Sequence, residues 1–273
     1  MSDVADTLVT SVVELAQRAG EAILSVYGQR FEVMSKADAS PLTLADMRSH
    51  EIIVHGLHAL TPELPVLSEE ASEIPFDVRR QWTRYWLVDP LDGTKEFVSR
   101  NGEFTVNIAL IDAHAPVLGV VHVPVANTTY TGARGPGASA RAFRHEPDGT
   151  ITAIHVCAPA ASPLRVVGSR SHRSTALDAY LPALEPYELI AIGSSIKFCR
   201  VAEGSADLYP RFGPTSEWDT AAAQAVVEAA GGAVTQIDGA PLRYNTKPEL
   251  LNPHFLVFGD TSRDWRPRST TAR

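Results

Sequence analysis

Trp86-Leu87-Val88-Asp89-Pro90-Leu91-Asp92-Gly93-Thr94-Lys95-Glu96-Phe97 is the stretch on which the reading of this chain turns. The apolar run from Tyr85 to Val88 predicts a short buried strand. Pro90, which has no N–H to give a ladder, is expected to end it. Asp89 and Asp92 stand at that strand end with the backbone carbonyl of Leu91 between them, a set of oxygen donors that suits a hard divalent cation such as Mg²⁺. Gly93 and Thr94 then allow a tight turn into a helix start, where free N–H groups can hold a phosphate. Carboxylates, a cation and a phosphate at one point make phosphoryl transfer the leading chemistry.

Composition narrows the alternatives. A chain of 273 residues can bury a substantial core, as one large domain or two modest ones. The net charge of −8 lacks the basic excess of a general nucleic-acid binder. An anionic small substrate stays compatible with it, because a bound cation reverses the local field. Cys157 and Cys199 have no metal-ligand spacing, so reduced thiols in a cytoplasmic protein are expected. The N-terminus lacks the layout of a signal peptide, and no apolar run approaches the roughly 20 residues of a membrane span.

Along the chain, Val4 to Tyr27 reads as one amphipathic helix ending at Gly28, and Lys36 to Pro41 as a polar loop. Thr43 is expected to cap a second helix with Asp46 in its first turn, a position that by itself complements the helix dipole. Pro65 to Ser68 predicts a strand, and Glu69-Glu70 follows it, as a solvated turn or as a second acidic strand end. Phe76 to Arg84 reads as surface loop or short helix. Phe104 to Asp112 and Val117 to Pro124 predict an antiparallel hairpin, with further strands at 128–131, 141–143 and 151–156. The stretch around Ala158-Pro159 changes texture, and beyond it strands alternate with helices. An antiparallel α+β part over 1–157 with most metal ligands, an α/β part over 158–262 with substrate-side residues, and a flexible tail over 263–273 are therefore expected.

One further carboxylate, Asp219, opens an alanine-rich helix, where it can cap the helix or face a cation. Glu69, Asp89, Asp92 and Asp219, with the Leu91 carbonyl, have the donor chemistry to hold two or three Mg²⁺. Thr94 and Asp46 are candidates to orient or deprotonate an attacking water, and Glu70 is counted with them as catalytic.

At this point the residues resemble a family, the Mg²⁺-dependent, lithium-sensitive phosphatases related to inositol monophosphatase. Asp46, Glu69-Glu70, Asp89-Pro90-Leu91-Asp92-Gly93-Thr94, and Trp218-Asp219 with eleven residues before Gly231-Gly232 follow the family pattern in order. Within it, Lys95-Glu96-Phe97, Arg100 to Ala109, Gly193 to Cys199 and Leu208 to Thr215 are similar to the bacterial 3'(2'),5'-bisphosphate nucleotidase branch. The resemblance implies a layered αβαβα sandwich of the sugar-phosphatase type, and metal ligation by Glu69, Asp89, Asp92, Asp219 and the Leu91 carbonyl. It implies a water positioned by Thr94 with Asp46, and adenosine 3',5'-bisphosphate as substrate, hydrolysed to AMP and phosphate. Gly93 and Thr94 would meet the phosphate, and His172, Ser194, Lys197 and Arg211 would line the nucleotide pocket. A cytoplasmic monomer or homodimer is expected, with peripheral contact at the inner membrane left open.

Physical reasoning supports that pocket. Cations already handling one phosphate cannot hold the other, and Lys197 and Arg211 are the available partners, unless both are solvated surface charges. Ser194 and Ser195 precede a helix whose N–H groups can take phosphate oxygens. His172 is either part of a helix start or a ribose or phosphate contact. Inositol monophosphatase or fructose-1,6-bisphosphatase activity is the nearest alternative. A non-catalytic nucleotide- or metal-sensing regulator is the alternative from another class.

Overall fold

The alternation of apolar side chains in the central strands decides how the layers stack. The computed structural model describes residues 2–28, 41–134, 140–169, 175–184 and 186–267. Helices α1 (Ser2–Tyr27) and α2 (Pro41–Leu60) lead into a seven-stranded sheet. Its strands run in chain order: β1 (Val66–Ser68), β2 (Arg84–Asp92), β3 (Thr105–Asp112), β4 (Ala115–Val123), β5 (Thr128–Ala133), β6 (Arg141–His145) and β7 (Ile151–Ala153). Two short helices, α3 (Phe76–Arg79) and α4 (Thr94–Val98), flank β2. The second half supplies β8 (Leu164–Ser169), α5 (Thr175–Tyr180), β9 (Tyr187–Ile192), α6 (Ile196–Ala202), β10 (Leu208–Arg211), α7 (Ala221–Ala229), β11 (Ala233–Gln236) and β12 (Phe255–Phe258). These strands form a sheet of order β11-β12-β10-β8-β9, with β8 parallel to both β9 and β10.

Successive residues of a strand point to opposite faces. Trp86 and Val88 of β2, with Val106, Ile108 and Leu110 of β3, pack against α1 and α2. Tyr85, Leu87, Ala109 and Ile111 face the other way and meet α6, α7 and the inner face of the second sheet, through Val167, Phe255 and Val257. Val166, Leu208 and Leu256 on the outer face of that sheet are covered by Leu177, Tyr180 and Trp265. Helices, sheet, helices, sheet and helix thus alternate, as the αβαβα expectation requires. The sheets share one buried cluster instead of two separate ones.

The structure corrects several local readings. β2 does not stop at Pro90 but runs on to Asp92. Its neighbour β1 has ended opposite Val88, and the pairing with β3 shifts register between Asp89 and Asp92, so the proline interrupts no ladder bond. α2 begins at Pro41, a residue suited to a first helical position, and Thr43 is therefore not its cap. Arg79, read as part of a surface segment, is 1% exposed. Its guanidinium donates to the carbonyls of Lys247 and Pro248 and to the side chain of Asn245, tying the first half to a loop of the second. Of the segment read as a tail, residues 263–267 are described, and Trp265 is buried there, donating its indole N–H to the Asp260 carbonyl at 2.7 Å. Residues 36–40, read as part of a polar loop, lie outside the described residues.

Helix α7 reaches the first sheet by a glycine seat. Gly119 of β4 and Gly132 of β5 are cross-strand partners, and a Cβ on Gly119 would land on the Ala222 carbonyl. A Cβ on Gly132 would meet the Val226 backbone. Neither neighbour is a flexible side-chain end, so the helix would have to lift. Gly132→Ala is expected to destabilise the protein by about 1–3 kcal/mol, the usual range for overpacking, and to depress activity because Asp219 leads directly into α7. Urea unfolding and a turnover assay on one preparation check both.

Buried His122 donates a pH dependence. Desolvation lowers its pKa from 6.5 to about 4, while its Nδ1 sits 2.9 Å from the Thr129 hydroxyl. A depressed imidazole pKa means that the folded state resists protonation. The stability it confers is present above pH 6.5 and is lost as pH falls towards about 4. Unfolding free energies of wild type and His122→Gln at pH 7.5 and pH 5 should show a steeper acid loss in wild type, by on the order of 1–2 kcal/mol.

Candidate active site

Three aspartates converge where the two halves meet. Ligand oxygens of Asp89, Asp92 and Asp219 lie within 4.8 Å of one another, the one such acidic group of three among the described residues. Asp89 and Asp92 arrive together because β2 continues through Pro90. Asp219 arrives on the segment entering α7, held by the glycine seat. It does not cap that helix: Thr220 is the N-cap residue, and an Asp219 oxygen instead accepts the Ser216 N–H at 2.8 Å. β1 lies parallel to β2 with Ser68 opposite Val88, which sets Glu69 beside Asp89.

Each carboxylate is held by protein at one oxygen. Oδ1 of Asp89 accepts the Leu91 N–H at 3.0 Å, closing the turn between the two aspartates. Oδ2 of Asp92 accepts the Ser195 N–H at 2.6 Å, together with longer contacts from Thr105 and Asn107. The pKa of Asp89 is raised well above the ordinary value, by burial first and then by Asp92, Glu69, Asp219 and Asp46. Asp219 is pushed up to about 7 by burial and by Asp92. Burial also raises Asp92, against the pull of Lys197 and of the Ser195 N–H. Acids crowded in this way resist ionising until a cation arrives. Hard oxygen donors at this spacing fit a divalent metal.

Asp46 stands in the second turn of α2, since no acidic residue lies in its first. The dipole account of this residue therefore falls away. Its pKa rises to about 7 through burial and the neighbouring Glu70 and Glu69. Glu69 is raised by burial, Asp92 and Glu70, while a hydrogen bond with Asp89 lowers it. Glu69 and Glu70 are otherwise open to solvent.

Beside the aspartates opens a cleft of about 260 Å³, lined by Gly93, Thr94, Ser194, Lys197, Tyr209, Arg211 and Thr215 among others. Gly93 adopts φ 101°, a left-handed conformation that glycine enters without strain, and it turns β2 into α4. Lys197 and Arg211 are not solvated surface charges, for they are 5% and 8% exposed. The Lys197 ammonium donates to the carbonyls of Ser194 at 2.6 Å and Ile192 at 3.3 Å. Burial lowers its pKa to about 8, with Asp92 opposing and Arg211 adding to the fall. Arg211 donates to the Pro214 carbonyl at 2.7 Å, and its Nε has no partner among the described residues. The Ser195 N–H, expected to be free for a phosphate, is committed to Asp92. His172 lies outside the described residues.

Sequence reasoning missed Thr105, Asn107 and Tyr209. The first two leave a trace: they are polar residues two apart at the buried start of β3, ahead of an apolar run, and lie opposite Asp92 and Asp89 in the register. Such a pair on one face of a buried strand marks a polar site.

The match to known proteins agrees with this geometry. The model of the inositol monophosphatase family matches residues 5–261. The chain belongs to that family. A 3'(2'),5'-bisphosphate nucleotidase CysQ of Escherichia coli strain K12 is 52% identical over 252 residues, covering 92% of this chain and 99% of the other. Its counterpart in Haemophilus influenzae is 37% identical over 260 residues, covering 95% of each. The crystal structure of CysQ from Bacteroides thetaiotaomicron superposes with a TM-score of 0.81 at 43% identity, over 94% of this chain and 98% of that one. An inositol monophosphatase from Zymomonas mobilis shares the fold at 22% identity, with a TM-score of 0.75 over 94% of each chain.

Mutual repulsion in the acidic cluster makes a distinct prediction. In metal-free protein at pH 8, Asp219→Asn removes one of the crowded charges and should raise Tm by roughly 2–4 °C, the effect of about 1 kcal/mol in a chain of this size. It should also abolish turnover and weaken the Tm increase produced by added Mg²⁺. Scanning calorimetry with chelator and with Mg²⁺ measures both effects, and a lowered metal-free Tm would contradict the repulsion.

Proposed function

We propose that this protein is a Mg²⁺-dependent 3'(2'),5'-bisphosphate nucleotidase that removes the 3'-phosphate of adenosine 3',5'-bisphosphate to give AMP and phosphate. The observation that carries this reading is the buried pair Lys197 and Arg211 on the wall of the cleft that Asp92 and Asp219 also line. Two neighbouring buried cations repel, and an anion between them relieves that repulsion. Arg211 still has an unpartnered Nε to offer. A substrate with one phosphate at the carboxylates and a second at this pair fits both ends of the cleft. The relatives that carry the nucleotidase name match nearly the whole chain.

Glu69, Asp89, Asp92, Asp219 and the Leu91 carbonyl are the groups proposed to hold two or three Mg²⁺. Bound there, the ions would supply a water of lowered pKa and charge to stabilise the leaving oxygen. Asp46, with a pKa near 7, is suited to accept a proton at neutral pH, and the Thr94 hydroxyl, at the start of α4, would orient the attacking water with Glu70 nearby. Gly93, through its left-handed turn, would let the α4 backbone approach the phosphate. Ser194, at φ 44°, sits on the loop that Lys197 holds from within. The two thiols, Cys199 buried and Cys157 half-buried, are free, as a cytoplasmic location would have them. No helix among the described residues is long and apolar enough to cross a membrane.

Specificity is tested best at Arg211, since Lys197 also supports the loop. A charge-assisted contact contributes roughly 1.5–3 kcal/mol, a factor of about ten to a hundred in binding. Arg211→Gln should therefore lower kcat/KM for adenosine 3',5'-bisphosphate by about that factor and leave slow turnover of adenosine 3'-monophosphate nearly unchanged. Equal losses on both substrates would remove Arg211 from the phosphate site. Wild-type preference for inositol phosphate or fructose 1,6-bisphosphate over the nucleotide would overturn the assignment.

A further inference from the structure

The described hydrogen bonds to Asp92 all fall on one of its two oxygens. Oδ2 receives the Ser195 N–H at 2.6 Å, the Thr105 hydroxyl at 3.3 Å and the Asn107 amide at 3.4 Å. These three residues are themselves linked. The Ser195 hydroxyl donates to Oδ1 of Asn107 at 2.8 Å, which turns the amide NH₂ of Asn107 towards the carboxylate. With that proton used, the Thr105 hydroxyl, 2.8 Å from the Ser195 oxygen, keeps its own proton for Ser195 or Asp92. None of the three is more than 2% exposed.

We infer that Thr105, Asn107 and Ser195 are positioning residues that commit Oδ2 of Asp92 to the protein and so leave its other oxygen for the cation. Thr105 and Asn107 come from β3, where the register sets them opposite Asp92 and Asp89. Ser195 comes from the second half of the chain, at the N-cap of α6 and next to Ser194 on the loop beneath Lys197. The orientation of a metal ligand on β2 therefore depends on a contact made across the two halves. A carboxylate free to rotate would lose entropy on binding a cation, whereas one already turned by its outer partners does not.

The inference rests on the metal-dependent reading above but not on the identity of the nucleotide, so its test uses Mg²⁺ alone. Calorimetric titration of substrate-free protein compares wild type with Thr105→Val, Thr105→Ser and Ser195→Ala. Thr105→Val and Ser195→Ala should each weaken Mg²⁺ binding by about tenfold, the lower end of the usual effect of losing an outer partner. Thr105→Ser, which keeps the hydroxyl, should bind close to wild type, a rescue that simple space-filling would not give. The double variant Thr105→Val with Ser195→Ala should lose much less than the product of the single losses, because both act through one network. Wild-type affinity in Thr105→Val overturns the inference, as do independent losses in the double variant. If Thr105→Val does not fold, Ser195→Ala carries the same test, since it keeps the backbone N–H. A wild-type protein that binds no Mg²⁺ overturns the metal reading first and this inference with it, while failure of the nucleotide assay alone leaves it standing.

Discussion

Repulsion among buried carboxylates is the constraint around which the rest of the molecule is arranged. Two ionised groups 4.8 Å apart repel by about 3.5 kcal/mol at an effective dielectric near 20. Three such groups, with the neighbouring Glu69 and Asp46, would separate if their backbones were free to move. The fold prevents this by placing Asp89 and Asp92 on one strand in the middle of a sandwich and Asp219 at the head of a helix pressed onto two glycines. The tension stored there is what makes the site receptive to cations, a case of stability given up locally for function.

Rigidity behind the site comes from polar groups as well as from the apolar packing of α7. At the foot of α7 the Tyr244 hydroxyl donates to Gln224 at 2.7 Å, Gln224 donates to Glu228, and Asn252 donates to Thr220 and to the Ser216 carbonyl. Beneath it, Glu217 accepts the Asn245 N–H at 2.7 Å, and Asn245 exchanges hydrogen bonds with Arg79 from the first half of the chain. Arg79 Nε and Asn252 Oδ1 have no partner among the described residues, but the bonds that are made hold the segment in one arrangement, because breaking one leaves a further buried polar group unpaired. They fix Asp219 from behind, as Ser195 and Thr105 fix Asp92.

Lys197 ties its own loop together and at the same time sets a charge on the cleft wall. Two of its three ammonium protons are directed to carbonyls of its own loop, at Ile192 and Ser194. Its field reaches Asp92, where it opposes the effect of burial. The residue thus shapes the loop that carries Ser194 and Ser195 while its charge lies on the cleft wall. The same side chain links substrate-side geometry to the carboxylates.

How much of this was legible beforehand follows from the range of the interactions involved. The strand-and-helix order, the Asp89 to Thr94 turn and the acidic residues of the site were readable, because periodicity, proline and glycine act within a few residues and the carboxylates stand in short motifs. Pro90 misled the reading, since only the early end of β1 and the register shift against β3 show that its missing N–H interrupts nothing. Asp46 could be read as a first-turn carboxylate facing the helix dipole and Asp219 as a helix cap, as local spacing allows. The true start of α2 and the Ser216 contact remove that account. Thr105, Asn107 and the anchoring of Arg79 depend on partners from 13 to 169 positions away, and the buried state of Lys197, Arg211 and Trp265 depends on how the whole chain packs. The sequence alone determined which groups can perform the chemistry, because side-chain type and local backbone rules are written residue by residue. Only the tertiary structure decided which oxygen, proton or charge each group has left to offer, because those commitments are made to neighbours that the chain brings together by folding.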